Sequence, residues 1–542
     1  MLPYFVITPI IIGVFLYAFS PLKAMRFLAI LAQAVVLGFA CYLFYLVKSG
    51  DIVTNIGDYE GLLGIRLRAD TLSSVFVALT ALSFLIAAIY CFNDNMSRLF
   101  WFLLFVWQGL LIGIFLTRDF FNVFVLMEVV TLVVSVLIMY YRDNRSMYDG
   151  MFYLMTGIIA MQFFLFGVGF LYRLTGRLDI DAISAALVYI PRSSQVLPFA
   201  LIFSGLALKC ALLPLFSWLP KAHGTPSAPP AVSAILSGVY IKCAVYLFMR
   251  IMPVFSEIDA SAFFLAVGII TSIGGFILAI SQSDIKLILA YHTVSQVGLI
   301  ITGLSIGTHY SYIGGLYHAI NHALFKSALF LSAGIISKAY GTRSVYEVRG
   351  VMRRYPIVGV ATLLAILGIT GAPLMNGSIS KYFIMFDSGP FISAMLMIIN
   401  LGTIISFVKY STMLLGGKGT VKHIYKGKDK SRKALEIKKV PLSKQISVLV
   451  FGLLCFLGGI FGREFIYFLF NVELSVNPAG YLEKTGIFLV SLLAGFLIYR
   501  YFVKKTHLLL HVRKLDIGFR ATCTALGGFF AAILIVLGFI IK

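Results

Sequence analysis

Long apolar stretches separated by short polar turns run through almost the whole chain. Each is about 20 residues long, the length that a helix needs to cross the hydrocarbon core of a bilayer, and the chain holds about sixteen of them. The first, from about residue 5 to residue 20, lacks a basic leader and a small-residue cleavage site, so we expect a retained helix. The pattern predicts an all-α polytopic membrane protein with about 14–16 transmembrane helices.

Two of the predicted spans are interrupted by proline close to a lysine. The first, LALKCALLPLFSWLP, holds Lys209 and breaks at Pro214; the second, IVGVATLLAILGITGAPLMNGSISKYFIMF, is apolar up to Pro373 and then becomes polar around Lys381. Proline removes a backbone donor and kinks or ends a helix. Interrupted spans at corresponding places in two halves of a membrane protein indicate inverted repeats around a midplane ion site.

These interruptions divide the predicted fold into two five-helix repeats, in which the fifth span matches the tenth and the seventh matches the twelfth. The segments that we expect are N-terminal scaffold helices (1–95), a first repeat (96–252), a second repeat (258–417), a basic loop (418–440) and C-terminal helices (441–542).

The chain carries 44 Lys and Arg against 22 Asp and Glu, a formal net charge of +22. Nucleic-acid binding does not follow, because the basic residues fall in alternate loops instead of forming one patch. The positive-inside rule places these loops in the cytoplasm and both termini outside; Arg173, Arg177 and Arg192 are exceptions. The most basic loop, 418–440, is interpreted as a topology signal, with contact to anionic lipid or to a soluble partner as the alternative.

No cofactor or metal site is predicted. The six cysteines are scattered, without metal or iron–sulfur spacing, and neither a haem-attachment motif nor a dinucleotide fingerprint is present. Any redox chemistry would therefore belong to another chain.

The fifth span carries one acidic residue, Glu128, about ten residues from its start and so close to mid-membrane. A buried carboxyl can stay neutral, but Lys209 on the seventh span offers a charge partner, and we expect the two to pair. Burial disfavours the charged form of a lysine and a nearby carboxylate favours it, so a change in their separation or hydration would move a proton.

Further basic residues lie in later spans. Lys242 is about nine residues, some 13 Å, from the helix end at Arg250, which is too far for easy snorkelling to the interface. Lys286 lies near the start of the tenth span, and His292 lies deeper. Lys286 could either snorkel to the interface or belong to an ion pathway. Lys409, near the end of its span, is expected to snorkel.

The eleventh span, YIGGLYHAINHALFKSALFLSAGIIS, carries the most polar residues. His318, His322 and Lys326 follow one another at i, i+4 and i+8, so they share one helical face. A histidine titrates near neutral pH and has a donor and an acceptor nitrogen, so such a row can pass a proton along. The same spacing could bind a metal, but no carboxylate or cysteine accompanies it.

These stretches, together with DFFNVFVLMEVVTLVV around Glu128 and LKCALLPLFSWLPKAHGTPSAPPAVSA around Lys209, resemble the antiporter-like subunits of respiratory complex I, Mrp-type cation/proton antiporters and membrane-bound energy-converting hydrogenases. The resemblance is strong over about residues 65–415, and APPAVSA resembles the Mrp and hydrogenase branch. It implies a proton-translocating, non-redox subunit, with or without sodium exchange, that assembles with other membrane subunits and a redox module in the cell membrane.

The expected pathway begins at Glu128 and Lys209, passes Lys242 and the histidine row, and ends at Lys381. A solute carrier would share the inverted repeats and the broken helices but would need a cavity lined by substrate-shaped polar groups. A structural membrane-arm subunit that has lost conduction is the other alternative, although the acid, lysines and histidines are all present.

Overall fold

The computed structural model describes residues 1–19, 21–57, 64–416, 439–504, 508–513 and 515–541, and these form an almost entirely helical protein. One antiparallel hairpin of strands β1 (Ile52–Ile56) and β2 (Ile65–Ala69) is the only sheet in this part of the chain. The basic loop 418–440 lies outside the described residues except for 439 and 440.

The helices of the first half are α1 (Leu2–Phe19), α2 (Leu22–Val47), α3 (Thr71–Cys91), α4 (Arg98–Leu116), α5 (Phe120–Ile138), α6 (Asn144–Thr175), α7 (Ile180–Leu187), α8 (Arg192–Lys209), α9 (Pro230–Ile235) and α10 (Ile241–Ile251). Short 3₁₀ segments follow α5 and α10 (Met139–Tyr141 and Met252–Phe255), and π-helical segments lie before α9 and between α9 and α10 (Pro220–Gly224 and Leu236–Tyr240).

The helices of the second half are α11 (Ser261–Ser281), α12 (Ile285–Ser305), α13 (His309–Tyr340), α14 (Val351–Arg354), α15 (Pro356–Thr370), α16 (Asn376–Met385), α17 (Pro390–Ser411), α18 (Leu442–Ile460), α19 (Gly462–Phe470), α20 (Pro478–Ile498), α21 (Leu508–Arg513) and α22 (Phe519–Ile541). A π-helical segment, Tyr499–Val503, continues α20.

Fourteen helical stretches in the described residues are long and apolar enough to cross a membrane. The two predicted broken spans are additional to these: α8 leads into the π-helical segment Pro220–Gly224, and α15, which has 15 residues, is followed by the 10-residue α16. The predicted all-α polytopic class is confirmed.

The first break begins directly after Lys209. Ala211 has a left-handed φ of 55°, and the N–H of Leu212 donates to the carbonyl of Ala207 at 3.0 Å. A left-handed residue with such a bond across it is a common way for a helix to end. The chain therefore leaves the helix before it reaches Pro214.

The second break has the same hydrogen bonding. α15 ends at Thr370, Gly371 has a φ of 77°, and the N–H of Ala372 donates to the carbonyl of Leu367 at 2.9 Å. Glycine adopts this backbone conformation without steric cost, which suits the sharp turn. Both interruptions are therefore closed helix ends in one geometry.

The starts of α5 and α12 are each joined to a neighbouring segment by a β-bridge. Asp119, before α5, forms an antiparallel bridge with Asp179 beyond the end of α6, and Asp284, before α12, forms one with Ser344 beyond the end of α13. The helices α6 and α13 have the same length, 32 residues. Each pair of helices is thus tied at the same place.

Helix α13 lies in the centre of the protein. Every residue from 313 to 336 is buried, although the stretch contains histidine, asparagine and lysine. By contrast, α20 leaves Leu482, Leu489, Val490 and Leu493 exposed. Apolar surface of this kind suits contact with lipid or with other membrane subunits.

An ion cluster joins the ends of three helices beside the hairpin. Asp70 caps α3 by accepting the N–H of Ser73, and its carboxylate also accepts hydrogen bonds from Arg118 at 3.2 Å and from Arg250. Burial raises the pKa of Asp70, but the charges of Arg250 and Arg118 and the Ser73 N–H outweigh it, so the pKa lies below its ordinary value.

Asp70→Asn should destabilise the fold by about 2–4 kcal/mol at pH 7, because both arginines lose their shared carboxylate. Since the folded-state pKa is lowered, the stabilisation is complete above the unfolded-state pKa near 3.9 and is lost as the pH falls through the lower folded-state value. Thermal unfolding in detergent should therefore separate variant from wild type at pH 7, with the two converging as the pH falls below about 4. Asp51→Asn, which removes an exposed partner of Arg68, is the control and should cost under about 1 kcal/mol; equal stability of Asp70→Asn and wild type at pH 7 would contradict the assignment.

Gly377 provides a test of the second break. A Cβ there would lie 1.9 Å from the carbonyl oxygen of Gly368, so the backbone of α15 or α16 would have to move. We expect Gly377→Ala to cost about 1–3 kcal/mol, measured by thermal unfolding. Gly169 on α6 has no atom within 4 Å of its Cβ position, so Gly169→Ala should be neutral or slightly stabilising. If both variants unfold at the same temperature as the wild type, the close packing of Gly377 against the Gly368 carbonyl is wrong.

Candidate functional site

Lys209 and Glu128 lie on facing helices without a direct ion pair. Lys209 is 3% exposed, and its Nζ donates to Thr131 Oγ1 at 2.7 Å. Thr131 follows Glu128 by one turn of α5, and the half-buried Glu128 has an enclosed Oε1 without a hydrogen-bond partner. The expected partner is therefore near, but Lys209 donates to a hydroxyl one helical turn from Glu128 instead of to the carboxyl group itself.

Helix α6 leaves room for the Lys209 amine at Gly157. A Cβ at this position would lie 3.1 Å from Lys209 Nζ and 2.5 Å from Thr131 Cγ2. The smallest residue is therefore required where the lysine meets its acceptor.

Two tyrosines that the sequence did not single out continue from this point. Thr131 lies beside the hydroxyls of Tyr153 and Tyr240, which are hydrogen bonded to each other at 2.7 Å. Tyr240 precedes Lys242 by two residues in the chain. A row of hydroxyls thus begins at Lys209 and reaches Tyr240.

Lys242 reaches the histidine row directly. It is fully buried, so snorkelling is excluded, and its Nζ donates to the Ser237 carbonyl at 2.6 Å and contacts Nδ1 of His322. Ser237 belongs to the π-helical segment, where backbone carbonyls lose their regular helical partners. Helices α10 and α13 are joined here by two basic side chains.

His318, one turn before His322, connects α13 to two other helices. Its Nε2 donates to Gln296 Oε1 at 3.0 Å, and its Nδ1 lies 2.8 Å from Ser380 Oγ. A carbonyl oxygen only accepts, so in the neutral ring Nδ1 is left to accept from the serine hydroxyl. The ring therefore has one donor side and one acceptor side.

Lys381 follows Ser380 in α16 and lies at the second break. Its Nζ donates to the Ile369 carbonyl at 2.7 Å and to Asn400 Oδ1 at 2.8 Å. Ile369 is in the last turn of α15, whose carbonyls have no partner further along the helix. The break thus supplies the acceptor for this lysine.

The remaining predicted residues are Lys326, the third member of the row on α13, and Lys286 and His292 on the neighbouring helix α12. Lys326 donates to the Leu289 carbonyl at 2.6 Å, and Lys286 donates to the Ala228 carbonyl at 3.0 Å. Lys286 is 4% exposed, so snorkelling is excluded for it too. His292 is fully buried, and neither ring nitrogen has a hydrogen-bond partner among the residues that the structure describes.

The expectation that Lys409 snorkels is wrong. The residue is 1% exposed, and its Nζ donates to the carbonyls of Ile280 at 2.6 Å and of Gln282 at 2.5 Å. These carbonyls end α11, which packs against α17. The lysine caps a neighbouring helix instead of reaching the interface.

Two buried groups near the first break were missed. His223 is fully buried, with both ring nitrogens unpartnered in the described part of the chain, and the buried Asp149 accepts hydrogen bonds from Thr225 at 2.7 Å and Ser227 at 2.6 Å. His223, Thr225 and Ser227 all lie in the polar run PKAHGTPS, which was the sequence signal for this cluster. Unpartnered buried nitrogens of this kind are normally served by water.

The metal alternative for the histidine row finds no support in the described residues, where no three His, Cys, Asp or Glu side chains form a group that could hold an ion. The neighbours of His318 and His322 are instead serine, glutamine and lysine.

Comparison with known proteins gives one family. The family model "NADH:quinone oxidoreductase/Mrp antiporter, TM" matches residues 117–407. An Na(+)/H(+) antiporter subunit of Alkalihalophilus pseudofirmus is 27% identical over 421 residues, covering 74% of this chain and 84% of the relative. An NADH-quinone oxidoreductase subunit of Desulforudis audaxviator is 33% identical over 338 residues, covering 59% of this chain and 66% of the relative.

The fold is also that of a solved structure. A chain of the Mrp complex from Dietzia sp. DQ12-45-1b superposes with a TM-score of 0.78 at 21% identity, covering 94% of this chain and 99% of the other. The matched family residues, 117–407, include Glu128 and every predicted pathway residue up to Lys381.

Proposed function

This chain belongs to the membrane-subunit family shared by NADH:quinone oxidoreductases and Mrp antiporters, and we propose that it carries protons through its line of buried basic side chains. The observation that supports this most is the contact between Lys242 and His322, which joins the part of the line near the first break to the part near the second. Without this contact, each of the two parts of the line would end inside the protein.

The proposed pathway has four steps, of which the first three lead from Lys209 to His322. Protons are exchanged at Lys209 under the influence of Glu128, and pass along the hydroxyls of Tyr153 and Tyr240 to Lys242. They then cross to His322. An imidazole that takes a proton at one nitrogen can give one up at the other, which suits transfer along the row.

From His322 the proposed route continues through His318 and Ser380 to Lys381. Lys381 binds only neutral acceptors, Ile369 and Asn400, among the described residues, so no fixed carboxylate there holds its charge. Lys326, at the end of the row, and Lys286 and His292, on the neighbouring helix α12, are assigned supporting positions where water would complete the hydrogen bonding.

We assign the pathway to two inverted five-helix repeats, 96–252 and 258–417, flanked by scaffold helices (1–95), the basic loop (418–440) and C-terminal helices (441–542). The matching helix ends at Ala211 and Gly371 support this division, as do the matching bridges at Asp119 and Asp284. The positive-inside rule favours cytoplasmic basic loops, and therefore outer termini.

The similar proteins are named as subunits, and we propose that this chain too works within a multisubunit membrane complex. The pathway consists of lysines, histidines and hydroxyls, so electron transfer in such a complex is assigned to other chains. The exposed apolar faces of α1, α2 and α20 are available for lipid and for neighbouring subunits.

Glu128→Gln and Lys209→Ala should each leave the complex assembled and reduce proton translocation at least about tenfold, because the site of proton exchange is lost. The measurement is the quench of a pH dye in vesicles that contain the complex. Lys338→Ala, at a position 74% exposed, is the control and should pump normally. Full coupled pumping by either of the first two variants would contradict the assignment of Glu128 and Lys209 as the site of proton exchange.

The hydroxyl row is tested by Tyr240→Phe. We expect proton flux to fall about tenfold, which corresponds to about 1.4 kcal/mol, the scale of one hydrogen bond. The control is Tyr246→Phe, which makes the same chemical change outside the row, at a hydroxyl that donates to the Phe115 carbonyl at 2.6 Å. The proton flux of this variant should stay at the wild-type level. Equal flux in both variants would show that protons bypass Tyr240.

A further inference from the structure

A cleft opens beside Lys381, between α16, α17 and α20. Its empty volume, including the open mouth, is about 690 Å³. Its polar lining comprises Ser378, Lys381, Tyr382, Asn400, Lys484 and Ser491 among apolar residues. Lys381 is four residues, about 6 Å, from the end of α16, and Lys484 is six residues, about 9 Å, from the start of α20. The cleft therefore lies near one membrane face, the outer one in the proposed topology.

Lys484 lies in α20, one of the C-terminal helices, in which no pathway residue is predicted. It is half-buried, and its Nζ lies 5.3 Å from the centre of the Tyr382 ring. No hydrogen bond or ion pair links it to another described residue. The quadrupole of an aromatic ring attracts a cation that lies over its face.

Among the described residues, no acidic side chain lines the cleft. Glu483, next to Lys484 in α20, is exposed and does not line it. The acceptors nearest to Lys381, the Ile369 carbonyl and Asn400 Oδ1, are already occupied by its Nζ. A sodium or potassium ion requires several oxygen ligands, and it would find the side-chain oxygens of Ser378, Asn400 and Ser491 here, but no carboxylate and two lysine side chains beside them.

We propose that Lys484 is a specificity-determining residue that repels metal cations from the outer cleft, so that protons leave at Lys381 without exchange for sodium or potassium at this mouth. Rings of lysine or arginine exclude cations from pores in the same way, whereas carboxylates admit them. The inference rests on the proposed function, because it assumes that Lys381 releases the transported proton.

The experiment compares proton pumping by vesicles that contain the complex, with either sodium or choline on the side of the cleft. Wild type and Lys484→Arg should pump equally in both salts. Lys484→Glu should pump about tenfold less in sodium than in choline, because the carboxylate attracts an ion that competes at Lys381. Lys504→Gln, at the exposed far end of the same helical unit, is the control and should behave as wild type.

Lys484→Gln keeps the test valid if the glutamate variant fails to assemble, and it should show a smaller sodium effect of the same sign. A second readout is uptake of radioactive sodium, which only the Gln and Glu variants should show above background. The inference is overturned if pumping by these variants is independent of sodium, or if wild type is itself inhibited by sodium to the same extent. Absence of pumping by wild type in choline would overturn the proposed function and this inference together.

Discussion

Most of the buried lysines in the part that the structure describes depend on neutral oxygen atoms for their hydrogen bonds; the exceptions are Lys221, which donates to Asp516, and Lys444, which donates to Asp94. An ammonium at membrane depth is costly unless it finds acceptors, and carboxylates are almost absent from the interior of the part that the structure describes. Backbone carbonyls take their place. The residues that accept from lysines are Ser237 for Lys242, Ala228 for Lys286, Leu289 for Lys326, Ile369 for Lys381 and Ile280 for Lys409.

Most of these carbonyls lie where a helix ends or departs from regular geometry; Leu289, in the interior of α12, is the exception. Ser237 lies in a π-helical segment, and Ile369 lies in the last turn before the second break. The irregular backbone therefore has a chemical purpose, because it offers acceptors that a continuous helix would use for itself. Carbonyls accept from an amine as well as from an ammonium. A lysine held in this way can gain or lose a proton without leaving a buried carboxylate unpaired, which is the property that a proton relay requires.

Sequence reasoning found the membrane class, the two breaks and most of the basic line, because these depend on local composition and on spacing within one helix. The face shared by His318 and His322 is an example. Contacts between distant helices could not be found in this way. Tyr153 and Tyr240 are 87 residues apart, and nothing in either stretch indicates that their hydroxyls meet. Lys409 was misjudged because distance from a helix end does not reveal that α11 ends beside it.

The contact between Lys242 and His322 offers the most direct test of the proposed route, because the route crosses there between the two parts of the line. Lys242→Met keeps the apolar stem and removes the amine. The decisive measurement is the rate of internal pH change in vesicles that contain the assembled complex with this variant. The account predicts that the proton flux falls to the level of empty vesicles. A flux equal to that of wild type would contradict it.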